Sequence, residues 1–214
     1  MNRRNFQKEM EDVISANARA GRIPRLLLHS CCAPCSSYSL EMLTEHFLVT
    51  DFYYNPNITR REEYEKREEE LVRLIAVQPH RHPVTFLRGK YDPESFFALA
   101  KGLESCPEGG ERCFRCYELR LREAAKVAAE GAFDYFTTTL TISPLKNAQK
   151  LNEIGERLAA EFAVAWLPTD LKKKGGYQRS IELSRDYDLY RQDYCGCIYS
   201  EAEARRRREE RMEK

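Results

Sequence analysis

"LLLHSCCAPCSS" runs from Leu26 to Ser37. An apolar run of strand character stops at two adjacent thiols, Cys31 and Cys32, and a third, Cys35, follows Pro34. Proline is accepted in the first turn of a helix, so the stretch reads as a buried strand, a loop, and a helix over 36–45 with Cys35 in its first turn. Adjacent residues of an extended strand point to opposite faces. Cys31 and Cys32 can therefore share a site only if the backbone turns there. The positive end of the helix dipole favours a thiolate at Cys35.

The same alternation continues outward. Residues 3–20 form an amphipathic helix with Phe6, Met10, Val13 and Ile14 on one side. Strands are predicted at 25–30, 47–55, 83–88, 133–141 and 163–168, and Pro56 closes the second. Helices are predicted at 59–78, 92–102, 111–131, 147–162 and 177–190. Strand–helix alternation of this kind predicts an α/β fold with a doubly wound, mainly parallel sheet. Such sheets bind ligands beyond the carboxyl ends of their strands. Cys31 and Cys32 fall there after the first strand, and Thr137–Thr139 fall on the same rim after the fourth. The expected organisation is one domain over 1–214, with an N-terminal helix at 1–20, a helical elaboration around 89–118, and a charged helix or tail at 201–214.

Composition narrows the chemistry. The 214 residues are 42% hydrophobic and 32% charged, and 35 basic against 34 acidic side chains leave a net charge of +1. Overall charge makes no case for nucleic acid, but "LKKKGGYQR" (171–179) is a local basic stretch. The run at 205–208 reads as part of a solvated terminal helix. No window approaches a membrane span, and the opening "MNRRNFQKEMEDVISANA" has no apolar signal core. The expected location is cytoplasmic, where structural disulfides are rare. Yet eight cysteines stand at 31, 32, 35, 106, 113, 116, 195 and 197, and seven of them fall into CCxxC, CxxC and CxC groups. Grouped thiols in a reducing compartment point to metal, cluster or redox chemistry. Cys106 stands alone and reads as a bystander.

Cys113 and Cys116 share one face of a predicted helix. Gly196 lets Cys195 and Cys197 face one ion, or pair on oxidation. Zinc takes four ligands and a [4Fe–4S] cluster usually four thiolates. The pairs Cys31/Cys32 and Cys113/Cys116 would complete either. Cys35, Cys195 and Cys197 remain for a second metal or a redox pair. Spacing does not separate iron from zinc, and a surplus of thiols beyond one closed site favours redox chemistry.

Five ordered motifs carry a resemblance: "HSCCAPCS" (29–36), "FYYNPNI" (52–58) with "EYEKR" (63–67), "ERCFRCYELRL" (111–121), "FTTTLTISPLKN" (136–147) with "IGE" (154–156), and "GYQRSIELSRDYDLYRQDYCGCIYS" (176–200). Together they resemble the epoxyqueuosine reductase family of the QueH type over roughly residues 25–200. The resemblance implies an adenine-nucleotide hydrolase-like (HUP-type) Rossmann-related fold. It implies reduction of epoxyqueuosine to queuosine at wobble position 34 of GUN-anticodon tRNAs for Asp, Asn, His and Tyr. It also implies a [4Fe–4S] cluster on Cys31, Cys32, Cys113 and Cys116. Cys195 and Cys197 would hold a neighbouring iron or form a redox-active disulfide, with Cys35 as a third ligand or redox thiol. No cobalamin is implied, and electrons would come from an external donor protein. Where some members of the family carry Asp, this chain has Cys35, a softer ligand.

Removing an epoxide oxygen to leave an alkene takes two electrons and two protons, and a Lewis-acidic second iron would help the oxygen leave. Tyr117, Tyr177, Asp193 and His29 are proton-donor candidates. His29 reads equally as a core residue at a strand end. A flipped nucleotide needs stacking faces and phosphate partners, for which Tyr117, Tyr177, Tyr190 and "FYYN" offer rings. Lys146, Lys172–Lys174, Arg179 and Arg191 offer cations. A zinc-binding module docking RNA or protein is one rival. A tRNA sulfur-insertion enzyme on a similar fold is another, but it wants a glycine-rich phosphate loop where "HSCCAPCSS" has no glycine.

Overall fold

The structure is a computed structural model, and it describes residues 4–212. Residues 1–3 and 213–214, the outer ends of the two expected terminal helices, lie outside the described residues. Element order is α1 (Phe6–Arg19), β1 (Arg25–Ser30), α2 (Ala33–Leu43), β2 (Leu48–Tyr53), α3 (Arg61–Val77), β3 (Thr85–Arg88) and α4 (Pro93–Ala100). There follow α5 (Glu111–Glu130), β4 (Tyr135–Thr138), a 3₁₀ turn (Thr139–Ile142), α6 (Ala148–Phe162), β5 (Ala165–Trp166), α7 (Gly176–Asp186) and α8 (Ile198–Met212).

The five strands form one sheet in the order β3-β2-β1-β4-β5, every pair parallel. This is the expected doubly wound α/β architecture. Leu26, Leu27 and Leu28 show why β1 is central: all three are fully buried, and they alternate between two cores. Leu27 packs with α5 and α6 through Leu121, Ala124 and Leu158. Leu26 and Leu28 pack on the other face with Met10 of α1 and Leu40 and Leu43 of α2. A strand buried on both faces reads as an unbroken apolar run because helices cover both sides of the sheet. On the α6 side, Gly155 lies flat against the Trp166 ring, where a Cβ would collide with the indole.

Chain order reverses between β1 and β4, since β1 leads outward to β2 and β3 and the chain then crosses back to β4 and β5. A crevice opens beyond the strand ends at such a switch point. Three sequence expectations shift in this region. Helix α2 begins at Ala33 rather than Ser36, with Pro34 in its first turn and Cys32 at its N-cap in extended conformation. Strand β4 stops at Thr138, because the Thr138 hydroxyl accepts from Leu140 N–H and starts the 3₁₀ turn. Helix α7 ends at Asp186, and the chain from 187 to 197 returns as a loop over the crevice. The C-terminal segment is a helix from Ile198 to Met212. No helix among the described residues is long and apolar enough to cross a membrane.

Candidate metal centre

The backbone turns where β1 ends, and that turn brings Cys31 and Cys32 to one side. Their sulfurs are 3.6 Å apart. With Cys35 in the first turn of α2, all three sulfurs lie within 4.8 Å of one another. Around a tetrahedral ion with metal–sulfur bonds of about 2.3 Å, sulfurs stand roughly 3.8 Å apart. The trio therefore suits a single metal ion. Its thiols are electrostatically unequal. Hydrogen bonds from Cys31 and Cys35 hold Cys32 well below the usual thiol range, with the Arg67 charge adding to the effect. The contact with Cys32 pushes Cys31 up against the pull of Cys35, and the contacts with Cys31 and Cys32 push Cys35 well up. Thr139 of the 3₁₀ turn donates to Cys31 Sγ at 3.7 Å.

The trio forms the floor of a cavity of about 330 Å³ in the crevice, a size that admits a small ligand. Cys195 reaches the same cavity from the returning loop, and Lys146, Tyr177, Arg191 and Asp193 stand on its wall. A smaller cavity adjoins it. Cys113 and Cys116 of α5 meet Cys195 and Cys197 there, with Tyr117 and Lys146. Burial pushes Cys116 up to about 12 and raises Cys113 as well. Cys197 precedes the first turn of α8, and its sulfur accepts the Ser200 N–H at 3.4 Å. Cys106 lies in the turn after α4 and lines neither cavity.

Two buried cations organise the sulfurs. Arg67 of α3 is 2% exposed, pairs with Glu63 at 2.6 Å and donates to the Cys195 carbonyl at 3.1 Å. Burial works against its charge, but Cys32 and Glu63 outweigh it. Asn57 donates to the same carbonyl at 3.2 Å, so the returning loop is held from two sides. Arg120 of α5 is 1% exposed and stands beside Cys116 and Cys31. It donates to Asn55 Oδ1 at 2.5 Å, and Asn55 in turn donates to the Ser30 carbonyl at 2.9 Å. Neither arginine is among the candidates that the sequence suggests. Arg120 follows Cys116 by four and Cys113 by seven, a helical face that could have indicated it.

The other candidates divide. His29 is fully buried, with ring contacts to Thr138 Oγ1 at 2.8 Å and the Tyr54 carbonyl at 3.0 Å. Burial and the Arg120 charge lower it to about 3, so it is a neutral core residue. Phe52, Tyr53, Tyr54 and Asn55 are buried too, and offer no open stacking face. Tyr117 is 2% exposed, and its hydroxyl has no hydrogen-bond partner in the small cavity. Tyr190 is turned away to Glu63 at 3.1 Å. Arg179 leaves the cavity wall to pair with Glu41 at 2.8 Å, whereas Arg191 stays on it and donates to Ser184 Oγ at 2.9 Å. Lys146 lines both cavities and pairs with Glu108 at 3.2 Å. Lys172, Lys173 and Lys174 edge a shallow cleft continuing from Lys146.

Comparison with known proteins gives this arrangement a context. Residues 26–203, from the start of β1 into α8, match the family model described as Epoxyqueuosine reductase QueH. A relative of that name from Staphylococcus epidermidis is 42% identical over 92% of this chain and 84% of its own length. One from Streptococcus pyogenes serotype M1 is 39% identical over 92% and 78%. One from Thermotoga maritima is 34% identical over 86% and 94%. The match takes in all seven grouped thiols together with Arg67 and Arg120, and with it the chain belongs to the epoxyqueuosine reductase QueH family.

Proposed function

We propose that this chain is an iron–sulfur oxidoreductase that converts epoxyqueuosine to queuosine at position 34 of GUN-anticodon tRNAs, without cobalamin and with electrons from an external donor protein. Family membership supports the reaction. The observation that carries it on this chain is the gathering of Cys31, Cys32 and Cys35 on the floor of a cavity at the β1/β4 switch point, with Cys195 entering from above.

The reaction consumes two electrons and two protons. Both epoxide C–O bonds break, a ring double bond forms, and the oxygen leaves as water. The thiols suit iron as donors: they are grouped, soft, and set beside two buried guanidinium groups that offset thiolate charge. Iron held there supplies electrons one at a time and a Lewis acid for the departing oxygen. The protein's own residues do the rest. Arg191, Lys146 and the Lys172–Lys174 edge offer cations to the phosphates of a strand entering the cavity from outside. Tyr177, 36% exposed on the wall, offers a ring to a flipped base. Tyr117 is the proton donor best placed by its unpartnered hydroxyl, which lines the small cavity together with Lys146.

The test is anaerobic incubation of the iron-loaded protein and a low-potential reductant with tRNA carrying epoxyqueuosine, followed by nucleoside mass spectrometry. Loss of one oxygen from that nucleoside is expected. A colourless, zinc-loaded protein that leaves the nucleoside unchanged would refute the assignment and favour a docking module.

A further inference from the structure

We infer that Leu145 is a positioning residue that wedges into the base stack of the anticodon loop and fills the gap left when the target nucleotide swings into the cavity. The inference rests on the proposed function for the identity of the RNA.

Exposure and place single the residue out. Leu145 is 67% exposed, more than any other large apolar side chain among the described residues except Met212 at the end of α8. It belongs to none of the apolar clusters that hold the fold together. Single exposed apolar residues are ordinary on a protein surface, and Ile23 and Val77 are two of them, standing before β1 and β3 at the opposite rim of the sheet. Leu145 differs in position. It lines both the cavity over the thiols and the shallow cleft edged by Lys172–Lys174, so it stands on the ridge where the two meet.

The backbone holds that ridge firmly. Ser143 to Lys146 form a turn closed by the Lys146 N–H donating to the Ser143 carbonyl at 3.2 Å. Pro144 fixes φ at the second position of the turn. Ser143 Oγ accepts the Leu145 N–H at 3.3 Å, a local bond that serine offers in turns. Both flanks are anchored. The Ser143 N–H donates to the Leu140 carbonyl of the 3₁₀ turn at 3.3 Å. Lys146 pairs with Glu108 at 3.2 Å, and Asn147 caps α6 by accepting the Lys150 N–H at 3.0 Å. A side chain presented on a pre-formed turn costs little further ordering when it binds.

The surroundings name the occupant. Lys146 and Lys172–Lys174 line the cleft on one side of the ridge, and Arg191 lines the cavity on the other. Lys172 and Lys174 pair with Asp170 and Glu11, whereas Lys173 has no acidic partner among the described residues. An apolar tip between two cationic flanks fits a chain with anionic backbone and flat apolar bases. The cavity of about 330 Å³ is at the small end for ligand sites, so the target base enters alone and its neighbours stay outside. Extruding a base costs stacking. Leucine is one of the apolar side chains that proteins insert between bases to offset that cost, and packing Leu145 on the base left behind buries surface that is open in the free protein.

The test compares wild type with Leu145→Ala and Leu145→Met on two substrates carrying epoxyqueuosine, an anticodon stem–loop and a trinucleotide too short to hold a stack. Circular dichroism and Tm should match wild type, since the side chain packs in no core cluster. Leu145→Ala should lower kcat/KM on the stem–loop by about 10- to 100-fold and leave the trinucleotide unchanged within error. Leu145→Met, of similar volume, should stay near wild type. Equal loss on both substrates, or no loss on the stem–loop, overturns the wedge. A second readout needs no turnover and decides alone if the trinucleotide is too short to react: 2-aminopurine at anticodon position 35, which brightens when stacking is lost. At saturating protein, wild type should brighten it and Leu145→Ala should brighten it less; equal signals overturn the inference. The proposed function is judged separately, by wild-type turnover. A wild type that brightens the probe more than Leu145→Ala does but leaves epoxyqueuosine unchanged keeps the wedge and loses the reaction, and turnover with equal probe signals keeps the reaction and loses the wedge.

Discussion

Replacing Asp51 with Asn should flatten the pH dependence of stability. Asp51 lies in β2, fully buried, opposite Leu28 in register. Its Oδ1 is bonded to Ser30 Oγ, whereas its Oδ2 has no partner. Burial pushes its carboxyl up to about 7, and Ser30 pulls the other way. In the unfolded chain the same group titrates near 3.9. Between those values the native state keeps a proton that the unfolded state releases, so stability falls as pH rises. The contribution is fully present below about pH 4 and gone above about pH 7. The full loss is roughly 4 kcal/mol, of which about 3 kcal/mol falls between pH 5 and pH 8. Asn keeps the shape and cannot ionise. For a chain of this size, 3 kcal/mol corresponds to a shift of about 6–12 °C in Tm. Thermal melts of both proteins at matched metal content, at pH 5 and pH 8, make the comparison, because the thiols titrate alike in each. The wild type should lose that many degrees more than Asp51→Asn. Parallel curves would show that Asp51 is ionised in the native core and that its burial argument is wrong.

Gly155→Ala places a methyl group in the Trp166 ring, and overpacking of this kind costs about 1–3 kcal/mol; a Tm equal to wild type would show that the indole moves freely. Arg67→Met leaves Glu63 and the Cys195 carbonyl without their buried partner. Breaking a buried ion pair costs about 3–5 kcal/mol, so a denaturation midpoint within error of wild type would contradict the role assigned to Arg67. Changing Lys172, Lys173 and Lys174 to Glu should weaken tRNA binding and reduce the salt slope by about 0.9 for each phosphate that is no longer neutralised. Titrations across a range of salt that overlay on wild type would remove this edge from the tRNA path.

Much of the fold was legible because its signals are local. The all-apolar Leu26–Leu28 marked a central strand, and Asp92 with Pro93 marked the start of α4. Errors gathered at the rim. Helix α2 starts three residues early because Cys32 takes the N-cap and Pro34 needs no N–H there. Strand β4 gives way to a 3₁₀ turn because a threonine hydroxyl competes for the next N–H. Tyr54 and Arg179 looked suited to RNA by residue type, yet one is buried and the other is paired with Glu41. Side-chain chemistry is visible in a sequence, but the direction it faces is not.

By itself the sequence determined the parallel α/β sheet, the grouping of seven thiols, and the placing of the first group at a strand's carboxyl end. Those follow from periodicity and short spacing, which act within a segment. Only the tertiary structure decided which groups face each other. Residues 31, 113 and 195 are brought to adjoining cavities by strand order, by the packing of α5 on the sheet, and by Arg67 and Asn57 holding the returning loop. A distance between sulfurs on separate segments depends on how every element between them packs, and no local pattern encodes that sum.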